Sequence, residues 1–320
     1  MSLASHPILP QPVKTVQGPV SYEQLGITDA HNHVWISAVP GIAPDCPVLD
    51  QYDLIRKELI AYRQSGGGTI LDCQPGGCGR DGNMLLDLSK ASRVNILACT
   101  GFHRKKYYPG DHWLWVASAQ EIDNYIWSEL EGGLTETLTA SSAVKAGFIK
   151  IALESTWADC PQAALEGAAS AAYKTKSLLA IHTEKGALAE KACIYFTDRG
   201  LLPHQLMLCH MDKRPDISLH KSLASFGVLL EYDTFYRPKY NPAVNLWQLI
   251  EQMAGAGLTN RITLATDMAE AALYHNIAGG PGLASLPGEI QETLKQKGFP
   301  QAAILQMQGG NIARRLAGIN

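Results

Sequence analysis

The chain has 320 residues, of which 46% are hydrophobic and 18% charged, and a formal net charge of -3. This is enough length and apolar content for a sizeable core in one large or two small domains, and it excludes a largely disordered chain. The balanced charge, without a Lys/Arg run, carries no nucleic-acid footprint, and no apolar run is long enough to span a bilayer.

No charged segment leads into an apolar run in the manner of a signal peptide. Cys73, Cys99 and Cys209 sit inside apolar, strand-like runs. The expectation is a cytoplasmic protein with buried, reduced cysteines and no membrane partner. Cys73 and Cys78 flank the turn Gln74-Pro75-Gly76-Gly77, and no Cys-x-x-Cys occurs, which argues against a zinc knuckle.

Residues 1–22 read as an irregular lead-in, rich in Pro, Val and Gln and without helical periodicity. From residue 23 to 320 a single domain is expected, in which apolar β-type segments alternate with helical ones. The strand segments are Ile27–Trp35, Gly68–Cys73, Val94–Phe102, Ala146–Leu153, Leu178–His182, Gln205–His210, Gly227–Tyr232 and Arg261–Asp267. Most are near-continuous apolar runs, as in strands covered on both faces of a parallel sheet. Helical spacing marks Leu49–Gln64, Ala119–Leu130, Pro161–Tyr173, Gly186–Arg199, Ile217–Ser225, Ala243–Ala256, Pro287–Lys297 and Ala302–Leu316. Eight strands alternating with helices predict an α/β fold, a (β/α)8 TIM-type barrel. The rival is a doubly wound open sheet, but Ser37-Ala38-Val39-Pro40-Gly41 stands where a Gly-rich nucleotide loop belongs.

Barrel enzymes place their chemistry at the C-terminal ends of the strands. There the first strand carries His31 and His33, which strand alternation puts on one face. The fourth carries Lys150, the fifth ends on His182, the sixth on His210 and the eighth on Asp267. Singly, a histidine here reads as a hydrogen-bonded core residue and Asp267 as a helix N-cap. Together they read as a metal site. Lys150 lies between Phe148, Ile149, Ile151 and Leu153, so it is expected inside the barrel. Burial disfavours an ammonium, and a neutral amine can add carbon dioxide to give a carbamate, an anionic ligand with two oxygens.

The chain resembles the phosphotriesterase-like branch of the amidohydrolase superfamily. The resemblance runs through Gly18-Pro19-Val20, Leu25-Gly26, His31-x-His33, Gly79-Arg80-Asp81, Thr100-Gly101-Phe102, Ala146-Gly147-Phe148-Ile149-Lys150, His182-Thr183-Glu184, His210, Asp267 and Asn311-Ile312-Ala313-Arg314. It implies two divalent ions, zinc with manganese or cobalt as substitutes. By that likeness His31, His33 and Asp267 hold the buried ion and His182 and His210 the exposed one. Carboxylated Lys150 and a hydroxide bridge them, and Asp267 is the base that moves the proton to the leaving oxygen. Many relatives carry Glu between the first two histidines. Here Asn32 takes that place, and alternation turns it away from the metals.

A narrower resemblance follows the sixth and seventh strands. His210-Met211-Asp212-Lys213-Arg214 and Glu231-Tyr232-Asp233-Thr234-Phe235-Tyr236-Arg237-Pro238-Lys239-Tyr240 look like the subgroup that hydrolyses phosphorylated sugar lactones. It implies that Lys213, Arg237 and Tyr240 hold a substrate phosphate, a set whose ammonium, guanidinium fork and phenol suit that anion. The Gly-Pro-Gly-Leu loop at 280–283 fits the same subgroup, but Glu270 stands where basic character is expected. His103, Arg104 and Lys105 follow the third strand as further candidates for substrate contact or as a solvated turn. The implied enzyme is a metal-dependent lactonase acting on a small lactone or ester. The alternatives are a phosphotriesterase or general carboxylesterase on the same metal centre, and a non-catalytic ligand-binding barrel. Relatives are often homodimers, and the resemblance carries that expectation to this chain.

Overall fold

A computed structural model describes residues 10–140 and 143–319. Part of the lead-in, residues 1–9, lies outside the described residues. The rest of it is more regular than the sequence suggests. Strands β1 (Val13–Thr15) and β2 (Gly18–Val20) form an antiparallel hairpin with Val13 opposite Val20. Val13 and Thr15 are buried, and the Val16 amide donates to Ile96 O at 2.8 Å. Three-residue strands are too short to leave an alternation signal, which is why the hairpin is illegible in the sequence.

The expected barrel is present. Its strands are β3 (Ile27–Asn32), β4 (Gly67–Asp72), β5 (Asn95–Gly101), β6 (Phe148–Ala152), β7 (Leu179–His182), β8 (Leu206–Cys209), β9 (Leu229–Tyr232) and β10 (Ile262–Leu264). They pair in sequential order, all parallel. Alternation sorts the side chains. Leu71, Cys73, Leu97, Cys99, Phe148, Ala180, Met207, Cys209 and Leu229 share one cluster inside the barrel. Ile70, Ile96, Ile149, Ile151, Ile181, Leu208 and Leu230 pack outward against the helices. Lys150 has the parity of Phe148 and is fully buried, so it points inward as expected.

Two helical expectations change. Gly82–Ser92 is a helix that the sequence reading leaves unassigned. Its N-cap Asp81 accepts from the Asn83 and Met84 amides at 3.0 and 3.1 Å. The expected helix Ala302–Leu316 is broken into Gln301–Leu305 and Asn311–Leu316, with Gln308 and Gly309 off helical geometry. A Cβ on Gly309 would lie 2.3 Å from Gly26 O. The backbone approaches the start of β3 too closely for any side chain, and the helix gives way there.

The sheet closes without a ladder between β10 and β3 among the described residues. The Asp267 amide donates to His31 O at 2.9 Å. Behind that bond lies a buried polar lock. Thr266 Oγ1 donates to Asp29 Oδ2 at 2.6 Å, the Thr266 amide donates to Asp29 Oδ1 at 3.1 Å, and Asn32 Nδ2 donates to Asp29 Oδ2 at 2.9 Å and to Thr266 Oγ1 at 2.8 Å. Asn32 thus faces the seam and not the ends of His31 and His33. Thr266→Val keeps the shape and removes the hydroxyl from this lock. Buried groups left short of a partner cost about 1–3 kcal/mol, so urea unfolding should show a stability loss of that size.

Candidate active site

The mouth at the C-terminal end of the barrel opens into a cavity of about 760 Å³. His31, His33, His182, His210, Asp267, Lys213, Arg237 and Tyr240 all line it. Lys150 lies beneath, with Nζ donating to His31 Nε2 at 3.0 Å. All nine residues singled out from the sequence therefore meet in one place. His33 comes just after β3 and not within it, and His210 and Asp267 likewise follow their strands. His210 (φ 63°) and Asp267 (φ 44°) hold left-handed backbone conformations, a cost that packing and hydrogen bonds must offset.

Each imidazole turns one nitrogen toward an acceptor in the wall. His33 Nδ1 donates to Gln74 Oε1 at 2.7 Å, and Gln74 Nε2 donates to Cys78 O, which fixes the amide's orientation. His182 Nε2 donates to Glu184 Oε1 at 2.9 Å, and His210 Nδ1 donates to Asp233. His31 Nδ1 stands 3.3 Å from Glu231 Oε2 without an aligned hydrogen bond. Burial pushes the pKa of all four rings down, His33 to about 4. The rings are neutral near pH 7, so each carries one proton; wall acceptors claim it in His33, His182 and His210, and in His31 the Lys150 donor at Nε2 leaves it on Nδ1.

The opposite nitrogens then present lone pairs. His210 Nε2 faces His182 Nδ1 at 2.9 Å. His33 Nε2 and His31 Nε2 face Asp267 Oδ1 at 3.6 and 3.8 Å. Between His210 and His182, and between His33 and Asp267, acceptor faces acceptor, which is repulsive unless a cation lies between them, while Lys150 supplies a donor to His31 Nε2. His31, His33 and Asp267 bring their ligand atoms within 4.8 Å of one another. The donor set of neutral imidazoles plus carboxylate fits a divalent metal.

The charges around this set are uneven. Burial and Asp233 raise the pKa of Asp267, but His210, Arg237 and Lys213 outweigh them and hold it below the ordinary carboxylate value. Burial, then Asp233, pushes Glu231 well above its usual range and Asp212 to about 7. Lys150 departs from expectation. Burial opposes its charge, yet Cys73, Cys209, Cys99 and Asp267 hold its pKa above that of an ordinary lysine. Burial pushes Cys73 and Cys209 to about 12 and Cys99 well above its ordinary value, so all three thiols are uncharged near pH 7. Asp267 is then the anion left among these four to keep the amine protonated.

Arg237 has partners beyond its expected role. Besides lining the mouth, it donates from Nη2 to Asp267 O at 2.5 Å and to Asp267 Oδ2 at 3.2 Å, and from Nη1 to Glu270 Oε1 at 3.3 Å. Lys213 Nζ lies 4.0 Å from Asp267 Oδ2 and 5.7 Å from the Tyr240 ring centre. The loop after β10 is pinned from both sides. Tyr274 Oη donates to His33 O at 2.5 Å, and Glu58 accepts from the Asn276 and Leu283 amides at 2.9 and 2.8 Å.

Sequence reasoning missed Gln74, although it follows the second strand as the histidines follow theirs. It also missed the segment 36–48, whose Val39, Ile42 and Val48 form an apolar wall. Glu231 and Asp233 stand in a quoted motif but received no role.

The Phosphotriesterase family model matches residues 11–316, and the chain belongs to that family. A phospho-furanose lactonase from Mycoplasmopsis synoviae (strain 53) is 30% identical over 321 residues, 95% of this chain and 91% of that protein. Of solved structures, an amidohydrolase from Mycoplasma synoviae aligns with a TM-score of 0.88 at 29% identity, over 97% of this chain and 93% of that one. A lactonase from Listeria monocytogenes shares the fold, with a TM-score of 0.88 at 23% identity over 97% of this chain and 100% of that one. The protein is accordingly an ester-hydrolysing enzyme with a candidate metal centre at the barrel mouth.

A ligand that binds the folded chain alone stabilises it, by about 4 kcal/mol when present at a thousand times its dissociation constant. Stripping divalent ions with a chelator should therefore lower the melting temperature, and added zinc should restore it. An unchanged melting curve would mean that the converging lone pairs hold no metal.

Proposed function

We propose that this protein is a binuclear metal-dependent lactonase that opens a phosphorylated sugar lactone. The observation that carries the reading is the set of inward lone pairs on His31, His33, His182 and His210 around the Asp267 carboxylate. His31, His33 and Asp267 would hold one ion, and His182 and His210 the other. Lys150 would join the set once its Nζ has added carbon dioxide, losing a proton to become a carbamate. That addition requires the neutral amine, so it needs the Asp267 charge that favours the ammonium to be engaged elsewhere. Zinc suits the donors, with manganese or cobalt as substitutes. Ions so held lower the pKa of water and polarise an ester carbonyl.

The remaining work belongs to side chains. Asp267, kept ionised by Arg237 and Lys213, accepts the proton of the attacking water at Oδ2 and returns it to the ring oxygen that leaves. Lys213, Arg237 and Tyr240 bind the phosphate and so fix the far end of the substrate. Gln74, Glu184, Glu231 and Asp233 keep the imidazoles in register.

The test is a screen of metal-loaded enzyme against phosphorylated and unphosphorylated sugar lactones and a neutral aryl ester. A preference for the phosphorylated lactones supports the reading. Equal rates on all classes would favour a general esterase, and a preference for a phosphotriester would favour that activity. Arg237 hydrogen-bonds Asp267 directly, whereas Lys213 stands 4.0 Å from it and acts on its charge alone, so Lys213 gives the cleaner probe of the phosphate site. Charge-assisted hydrogen bonds contribute about 1.5–3 kcal/mol. Lys213→Gln should thus lower kcat/KM for a phosphorylated lactone by one to two powers of ten, while the neutral ester changes little. Asp267→Asn should retain most metal by mass spectrometry yet lose nearly all turnover. Near-normal rates in that variant would remove Asp267 as the base.

A further inference from the structure

His103 is a fifth imidazole on the cavity wall, buried like the other four but placed outside the proposed metal ligand set. Its ring centre lies 5.2 Å from that of His182 and 6.4 Å from that of His33. Tyr107 packs edge-on against it at 4.5 Å, and its own amide donates to Tyr108 Oη at 2.9 Å. The ring is therefore held and not free to swing.

Its protonation pattern differs from that of the four rings around it. The Arg104 amide donates to His103 Nδ1 at 2.7 Å. An imidazole nitrogen that accepts a backbone N–H carries no proton, so in the neutral ring the proton sits on Nε2. Among the described residues, no protein group accepts from that Nε2–H. It is the distal edge of a ring that lines the cavity, so the donor is turned toward whatever fills that space. His31, His33, His182 and His210 present lone pairs inward, whereas His103 presents a proton.

Position in the barrel says which end of a substrate it meets. His103 follows β5, the third strand of the barrel, and Arg237 and Tyr240 follow β9, the seventh. In an eight-stranded barrel these lie across the mouth from one another. A substrate with its phosphate on the β9 side and its carbonyl over the centre presents the carbonyl end to β5.

We propose that His103 is a substrate-binding residue whose Nε2–H donates to an oxygen at the carbonyl end of the lactone, either the carbonyl itself or the hydroxyl on the adjacent carbon. The assignment rests on the lactonase reading above. It predicts discrimination, because a buried donor left unpaired is costly and a site built around it rejects a ligand that cannot accept.

The experiment compares wild type with His103→Phe, which keeps a ring, and His103→Gln, which restores an N–H donor. His103→Phe should lower kcat/KM on the lactone by roughly ten- to a hundredfold, with metal content and melting temperature unchanged, and His103→Gln should recover most of the loss. A lactone lacking the hydroxyl next to the carbonyl separates the two acceptors. Wild type and His103→Phe converge on it if that hydroxyl is the partner, and the ratio persists if the carbonyl is. Nitrogen-15 NMR of the metal-loaded protein should show the His103 proton on Nε2. Three results would overturn the assignment: a proton on Nδ1, equal activity of His103→Phe and wild type on every substrate, or a His103→Phe loss that follows metal loss and that His103→Gln does not repair. If the wild type hydrolyses an aryl ester or phosphotriester but no lactone, the lactonase reading falls by itself. The variant ratio is then read on that substrate, and the NMR result stands independently.

Discussion

The organising constraint is that three neutral imidazoles, His33, His182 and His210, give their protons to the wall and with His31 turn their lone pairs toward one centre. Gln74, Glu184 and Asp233 accept from His33, His182 and His210, and Glu231 stands beside His31. Without those acceptors each ring could reverse its tautomer and hydrogen-bond to its neighbour, and the cluster would satisfy itself as an ordinary buried polar network. With them, the centre is rich in acceptors and short of donors, and a cation resolves it. The acceptors come from the regions just after β4, β7 and β9, so the barrel's closure in register is a condition of the chemistry.

That closure is itself polar where the sheet lacks a ladder. Asp29, Asn32 and Thr266 bind β3 to the residues after β10, within one or two positions of His31, His33 and Asp267. The same few residues that join the barrel's two ends set the positions of three candidate ligands. Asn32 fits this arrangement as an amide. It donates twice from Nδ2, and its Oδ1 accepts the His33 amide at 2.8 Å. A carboxylate in its place could not donate to Asp29 at all. The departure from the commoner Glu is therefore accommodated in the seam and leaves the ligand atoms untouched.

The barrel and its rim were legible because their signals are strong: near-continuous apolar runs alternating with helical stretches, five of them carrying a histidine, lysine or aspartate toward the same rim. Six candidate ligands follow from that rule, and the structure brings all six together. What escaped has weak or displaced signals. Gln74 is neutral and sits before a turn, so nothing in its type suggests a partner for an imidazole. The helix Gly82–Ser92 begins on Gly-Asn and carries two serines, which dilute its apolar stripe of Met84, Leu85 and Leu88. The break at Gly309 depends on the close passage of Gly26, a contact between residues distant in sequence, which no local pattern encodes. For Lys150 the sequence carries the burial that disfavours its charge but not the neighbours that favour it, since Cys73, Cys209, Cys99 and Asp267 come from other strands.

Arg237 shows why residue types alone could not separate the roles at this rim. A guanidinium after the seventh strand reads as an anion-binding group, which fits its place at the mouth. Its fork, however, already holds the Asp267 carboxylate and backbone oxygen on one side and Glu270 on the other. Glu270 is largely exposed, so its pairing with Arg237 is weak and an incoming dianion can displace it. Asp267 is buried and bonded through two oxygens, so that side of the fork stays in place. On the proposed mechanism, the carboxylate that moves the proton and the group that meets the phosphate form one connected unit. An anionic substrate that drew on Arg237 would then also change the field at Asp267 Oδ2, raising its proton affinity where the reaction needs a base. Binding the remote end and activating the reacting end would thereby be coupled through a single side chain.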